Sequence, residues 1–385
     1  MRQPWITGHY GGQIGQDRRH YLPPRELVHK AATGGHTAIE ALAAKLEKNL
    51  AQAILSALTA QKEALDLDAI AAALEAGNIG QVLALLDLPA SLAKLDTITP
   101  AIQDGVYLSG TAAAAGIARA TGVQFVFGRL NPRLLTWLQT YSLGLIRQIN
   151  TTTKEGIRQF LLTGMKAGDN PKVVARQVKG IIGLTDRQAK AVQNYRRQLE
   201  SFHERRSAAA FGLGNKVNRV NGTQVTILDA DGNNSDGIDQ RRLRDYRYDS
   251  QMQRAMQTGK PLSPAQINKM VDAYERKYLA YRSRTIARTE ATRANNVGVQ
   301  DAWHQAIESG VASEDLVRKQ WIVAKDERLC AVCGPIPKMN PKKGVKHGQS
   351  FMTPNGPTSL PPIHPNCRCS VFYRLFEPVQ LQDSP

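Results

Sequence analysis

The sequence predicts a mainly α-helical chain. A multi-helix N-terminal and middle region with an inserted β-hairpin leads into a small α+β module at the C-terminal end. Three observations predict this. Apolar residues recur every three or four positions from His36 onward, the period of a helix with one buried face. From Lys319 the period changes to two, the mark of a half-buried strand. All four cysteines, Cys330, Cys333, Cys367 and Cys369, fall within 330–369.

A length of 385 residues allows two or three domains, and 42% hydrophobic content is enough for a packed core. No apolar run approaches the roughly 20 residues that cross a bilayer. The opening "MRQPWITGHYGGQIGQDRRHY" lacks the apolar centre of a secretory signal, so synthesis and first use in a cytoplasm are expected, with no membrane partner. The net charge is +17, and it is unevenly placed. Residues 1–130 are balanced, and residues 131–385 carry the whole excess. That asymmetry points to a polyanion near the second part.

Residues 1–35 show no period and read as an extended arm. Ile39, Leu42, Leu46, Leu50, Ile54 and Leu58 then mark one face of a helix. "LDAIAAALEAG" stops at Gly77, "IGQVLALLDL" gives a short helix, and a small-residue helix covers roughly 100–122. This neutral stretch, 36–130, is the expected partner-binding part. Asn131-Pro132, Thr151 to Thr153, Asn170-Pro171 and Thr185 are start signals for the helices that follow. The last two form a helix, short turn and helix over 171–200, with Arg187, Lys190, Arg196 and Arg197 on the second. An ordinary helical hairpin with a basic face accounts for the pair, and a DNA-reading helix-turn-helix is the sharper alternative.

The helical pattern breaks at 208–240. Asn221-Gly222 between alternating residues signals a hairpin. The acidic run after it fails as a calcium loop, since Asn234 stands where glycine is needed and Gln240 where glutamate is needed. Helices resume around 241. Ser263-Pro264 starts a long one, and the basic helical region as a whole spans 131–310. "KQWIVAK" and "CSVFYRL" read as strands of a module over 311–376, and 377–385 reads as a tail.

Two short cysteine pairs, Cys-x2-Cys and Cys-x-Cys, have the form of a structural zinc site, because two loops can close one tetrahedron. Candidate ligands are Cys330, Cys333, Cys367, Cys369 and His364, of which four are needed. Spacing leaves open whether the histidine replaces a cysteine. Disulfides, free thiols and a redox pair are the competing readings. A loop-rich module of this size needs a staple in any case.

Within "RSRTIARTEATRANN", Arg288 and Glu290 are two apart and point away from each other on a helix, which argues against a catalytic pair. Arg284 and Arg288, four apart, share a face, so an anion between them would relieve their repulsion. Arg187, Lys190, Arg196, Arg197, Arg284 and Arg288 are therefore the candidate DNA- or phosphate-facing residues, against the alternative of a solvated basic surface. No phosphate-binding glycine loop, His-Glu-x-x-His or nucleophile elbow occurs, so no catalytic residue is assigned and a non-enzyme is expected.

"RTIARTEATRANNVGVQDAWHQA", "KQWIVAKDERLCAVCGP", "FMTP" and "PPIHPNCRC" occur in an order that resembles the phage head morphogenesis family, the Mu F-like minor head proteins. The resemblance covers roughly 131–202 and 241–375 and skips the 208–240 insertion. It implies a structural virion protein near the portal vertex, assembled in the host cytoplasm and assisting head assembly, DNA packaging or ejection. It implies the portal protein as partner, the major capsid or scaffolding protein as further candidates, and packaged DNA as a non-specific neighbour. Some members carry a toxin or ADP-ribosyltransferase domain, and a nuclease or ADP-ribosyltransferase-like effector on the same module is the alternative from another class.

Overall fold

A computed structural model of the protein describes residues 25–26, 31–86, 98–141, 157, 160–161, 170–201, 203, 219–220, 223–224, 245–324 and 329–377. The apolar face expected from Ile39 forms α1 (Ala31–Glu63), with Leu50, Ile54 and Leu58 fully buried. The helix starts before His36, because Gly34 and Gly35 carry no period that could reveal its first turns. Asp66 caps α2 (Leu67–Glu75) by accepting the Asp68 and Ala69 N–H groups at 3.1 and 2.9 Å. The turn after α2 passes through Gly77 at φ +67°, where a side chain would be strained. Asn78 caps α3 (Ile79–Leu85). The small-residue helix is α4 (Ile98–Thr121), and Asn131 caps α5 (Pro132–Thr140).

Asn170 and Thr185 open α6 (Pro171–Ile181) and α7 (Asp186–Glu200), the latter with a complete capping box to Gln188. The start signal at Thr151 to Thr153, the extended arm before Arg25 and the acidic run at 229–240 lie outside the described residues. The hairpin is present as β2 (Arg219–Val220) and β3 (Thr223–Gln224), paired with Val220 opposite Thr223. A short α8 (Asp249–Thr258) follows, ending at Gly259.

Ser263 and Gln266 form the capping box of α9 (Pro264–Glu308), a helix of 45 residues and so roughly 68 Å long. It is the axis of the fold. Its first half packs against α7, where Tyr274 meets Tyr195 at 4.4 Å between ring centroids. Its middle lies against α1 and α4, and its last turns carry the C-terminal sheet through the Trp303–Tyr373 stack. A second apolar cluster, built from Ile70, Leu74, Val82, Val178 and Ile181, joins α2, α3 and α6. Polar ties hold the two clusters together. Lys62 of α1 donates to the Gly180 carbonyl of α6 at 3.4 Å and to Glu275 of α9 at 2.9 Å, and Arg282 donates to the Gly183 carbonyl at 2.7 Å.

The module has an antiparallel sheet with β4 (Val317–Ile322) in the middle, β6 (Ser370–Glu377) on one side and β5 (Val345–Lys346) on the other. Val317 pairs with Leu375 and Ile322 with Ser370. On the outer side of β6, β1 (Arg25–Glu26) adds two residues, so a piece of the expected N-terminal arm is a strand. The strands sit within three residues of their expected positions. Their alternation places Val317, Lys319 and Trp321 inward. Between β4 and β5 in the chain lies the one-turn α10 (Ile336–Met339).

Glycines allow α4 and α9 to touch backbone to backbone. A Cβ at Gly298 would overlap the Val106 carbonyl, and one at Gly110 would overlap the Phe127 ring. Gly298→Ala is therefore expected to destabilise by about 1–3 kcal/mol through overpacking. Gly116→Ala on the same α4 meets open space and should stabilise by roughly 1 kcal/mol through helix propensity. Urea unfolding of the two variants measures both signs, and a Gly298→Ala protein as stable as the parent would contradict the close crossing.

Candidate metal centre

The candidate centre is assembled by two loops held against one face of α9. The first loop follows β4 and turns tightly at its cysteines. The Cys333 N–H donates to the Cys330 Sγ at 3.3 Å, and the Gly334 N–H donates to the Cys330 carbonyl at 3.0 Å. The second loop leads into β6. Its Asn366 is left-handed at φ 65°, a conformation asparagine tolerates better than most residues.

Four residues of α9 clamp this second loop. Thr289 Oγ1 accepts the Asn366 N–H at 2.8 Å, and Arg288 donates to the Asn366 side chain at 2.7 Å. Thr292 donates to the Cys367 carbonyl at 3.3 Å, and Asn296 accepts the Val371 N–H at 3.0 Å. Residues 288, 289, 292 and 296 share a face at helical spacing. The stretch "RTEATRANN" thus acts as a mount for the centre. Glu47 of α1 grips Arg288 from the other side with contacts of 2.8 to 3.1 Å, fixing the guanidinium.

All five candidate ligands meet. They fall into two overlapping triads, Cys330–Cys333–His364 and Cys333–Cys367–Cys369, each with its ligand atoms within 4.8 Å of one another. Both groups are geometrically able to hold a metal ion, and Cys333 belongs to both. Cys333, Cys367 and Cys369 are buried, and Cys330 is partly exposed. The Cys333 and Cys367 sulfurs are 3.9 Å apart. A tetrahedral ion with metal–sulfur bonds of about 2.3 Å sets sulfur–sulfur edges near ~3.8 Å, so this edge is ready-made. His364 Nε2 lies 3.0 Å from Cys333 Sγ and 3.2 Å from Cys330 Sγ. The Pro365 carbonyl sits 2.8 Å from His364 Nδ1 and selects the tautomer with hydrogen on Nδ1. Nε2 then presents its lone pair to the sulfurs.

The thiols are not alike. The Cys369 thiol donating to Cys367 pulls the Cys367 pKa down to about 5, and the same bond pushes Cys369 up. Burial pushes Cys333 up to about 12. Burial opposes ionisation of Cys330 as well, but the hydrogen bonds from the Cys333 N–H and thiol, with His364 nearby, together outweigh it and lower that thiol. One thiolate, Cys367, is thus prepared without an ion, and Cys369 serves as its donor.

The basic candidates are dispersed. Arg187 and Lys190 are exposed on α7. Arg196 bonds to Asn268 at 2.8 Å and Arg197 to Asn194 at 2.6 Å, while Arg284 and Arg288 stand beside the centre. Sequence reasoning missed a buried group behind the sheet. His347 Nε2 lies 2.8 Å from His304 Nδ1, and Lys319, 1% exposed, donates to the Ser359 carbonyl. Burial lowers His304 to about 4, His347 to about 3 and Lys319 to about 8. Only the strand alternation at Lys319 could have flagged it.

Glu290 points away from Arg288, as the two-residue spacing requires. It is 1% exposed, and its carboxylate lacks a hydrogen-bond partner among the described residues, with Arg293 3.7 Å away. Comparison with protein-family models, with curated proteins and with solved structures finds no match.

Burial raises the Glu290 pKa from 4.5 to about 7. The folded state therefore holds its proton more tightly than the unfolded state. This contribution is full below pH ~4.5 and is lost as pH rises to 7. The two histidines act in the opposite sense, losing stability as pH falls below 6.5. Glu290→Gln should leave stability near the parent's at pH 4.5 and exceed it by about 3 kcal/mol at pH 8. Unfolding curves across this window test it, and a parallel pH dependence in parent and variant would contradict the assignment.

Proposed function

We propose that this chain is a phage minor head protein, a structural virion component that docks at the portal vertex and assists head assembly, DNA packaging or ejection. The carrying observation is that the separate stretches behind the family resemblance build one centre. "LCAVC" supplies Cys330 and Cys333, "HPNCRC" supplies His364, Cys367 and Cys369, and "RTEATRANN" supplies the mount. Their co-occurrence in one sequence then has a physical reason.

The occupant is a structural zinc ion. Thiolate and imidazole donors in a tetrahedral frame suit zinc. Cys330, Cys333, His364 and Cys367 are the ligands: Cys333 belongs to both triads, and each of the other three has its donor atom aimed or charged by a backbone group or a neighbour. Cys369 remains a hydrogen-bond donor to Cys367. The ion's role is mechanical, closing two loops that have few apolar residues of their own. The neutral first part and the N-terminal arm bind the portal protein, with major capsid or scaffolding protein as further partners. The basic second part lies beside packaged DNA and neutralises phosphates without reading bases.

Purified protein should contain about one zinc per chain. Cys333→Ser should lose the metal, and Cys369→Ser should keep it. Zinc-free protein from metal-supplemented, reducing preparations would refute the occupant, and retention by Cys333→Ser would refute the ligand set. Co-sedimentation with assembled portal rings tests docking. The full chain is expected to bind and a chain lacking residues 1–35 to bind at least tenfold more weakly, whereas failure of the full chain to bind portal rings would overturn the assignment.

A further inference from the structure

After α4 the chain turns back along the helix it has just left. Gly122, at φ +70°, closes α4 by donating its N–H to the Ala118 carbonyl at 2.9 Å. Residues 122–131 then form an irregular strap. Two ties fix it. The buried Phe127 ring fills the notch that Gly110 leaves in α4, where a Cβ would overlap it. Gln305 of α9 holds the backbone of the next residue from both sides. Its Oε1 accepts the Gly128 N–H at 2.7 Å, and its Nε2 donates to the Gly128 carbonyl at 3.0 Å.

This anchoring leaves apolar side chains outside. Val126 is 85% exposed and Leu130 81%, the highest values for large apolar side chains among the described residues. Val123 on the strap and Leu108, in the α4 turn beside it, are about half exposed. With Phe127 and Gly128 pinned between them, Val126 and Leu130 cannot both turn inward. A fixed apolar surface with a polar rim marks a contact with another molecule. The rim here is charged. Arg129 is exposed, with its guanidinium carbon 5.2 Å from the Tyr107 ring centroid, and Arg119 is exposed in the last turn of α4. Neither has an ion pair among the described residues. Arg133 is taken by Glu308 at 2.6 Å, and Asp104, one turn before Leu108, is an exposed carboxylate on the α4 side.

We propose that the strap is a docking surface for the portal protein, with Val126 and Leu130 entering an apolar groove whose edge offers carboxylates to Arg129 and Arg119. The exposed aliphatic side chains favour a protein partner, since they give nothing to a phosphate backbone. Phe125 is half-buried and Phe127 buried, so the strap lacks the exposed aromatic ring of a membrane-seeking loop. The two arginines set the charge expected on the partner. Because the strap is held in place before contact, little ordering is needed on binding. This inference rests on the reading of the chain as a portal-docking protein, and the experiment separates the two.

Co-sedimentation with assembled portal rings is measured for the parent, Val126→Asp, Leu130→Asp, Arg129→Glu and a control, Val173→Asp. Val173 is an exposed apolar residue of α6 in the second part of the chain. The altered side chains are all exposed, so helical circular dichroism and unfolding curves should match the parent's. Val126→Asp and Leu130→Asp should each bind about tenfold more weakly, and the control should change little. Arg129→Glu should lose about fivefold at low salt and less at high salt. Strap variants that bind as well as the control would overturn the strap and leave portal docking standing. A parent that fails to bind the rings would overturn the docking and the strap together. Two further assays identify any other occupant. A dimer of the parent in analytical ultracentrifugation that Val126→Asp dissolves would give the strap to a second copy of this chain and overturn the proposal. Binding to vesicles of phosphatidylcholine and phosphatidylglycerol that is lost in Val126→Asp would give it to a lipid surface, with the same result.

Discussion

A helix of 45 residues with buried side chains all around it must find neighbours on every face, and α9 meets that demand differently along its length. Aromatic rings fill its first half, glycine and alanine let α4 approach in the middle, and polar side chains clamp the cysteine loops near the end. Its buried Arg282, Glu290, Asn295 and Asp301 would be costly in an isolated helix. Two are answered by other elements and one from within the helix. Ser109 donates to Asn295, Gly183 accepts from Arg282, and Gln305 donates to Asp301. The fold is specified as much by these pairings as by apolar area.

Local signals were legible in the sequence where one residue type does one job. The caps at Asn131, Asn170, Thr185 and Ser263 are side-chain acceptors just before helices, and all four are found bonded as such. The hairpin at Asn221-Gly222 and the period-two strands follow from equally local rules. Two apolar clusters sharing one axis were not legible, because the faces of α9 show no single stripe for a periodicity argument to find. The start of α1 and the strand at Arg25–Glu26 were missed for a related reason, since two glycines and two charged residues carry no apolar period.

The cysteine spacing reached all five residues of the centre but could not rank them. Ranking needs directions, and those come from the Pro365 carbonyl behind His364, the N–H of Cys333 behind Cys330 and the thiol of Cys369 beside Cys367. The role of "RTEATRANN" was hidden for the same reason. Its helical spacing suggested an anion between two arginines, whereas Arg288 is committed to Glu47 and Asn366. Position along a helix says which side chains share a face, and only the partner across that face says what they do.

The tie between Glu47 and Arg288 joins positions 241 residues apart. On the ribosome, α1 and α4 emerge long before the helix that covers them. Their apolar faces must wait, exposed or held by a chaperone, until the last third of the chain has been made. Closure of such distant contacts is entropically slow and leaves nascent chains open to aggregation. This protein is therefore built to close its main core late, and truncated chains released before α9 is complete keep only the smaller cluster of α2, α3 and α6 to fall back on.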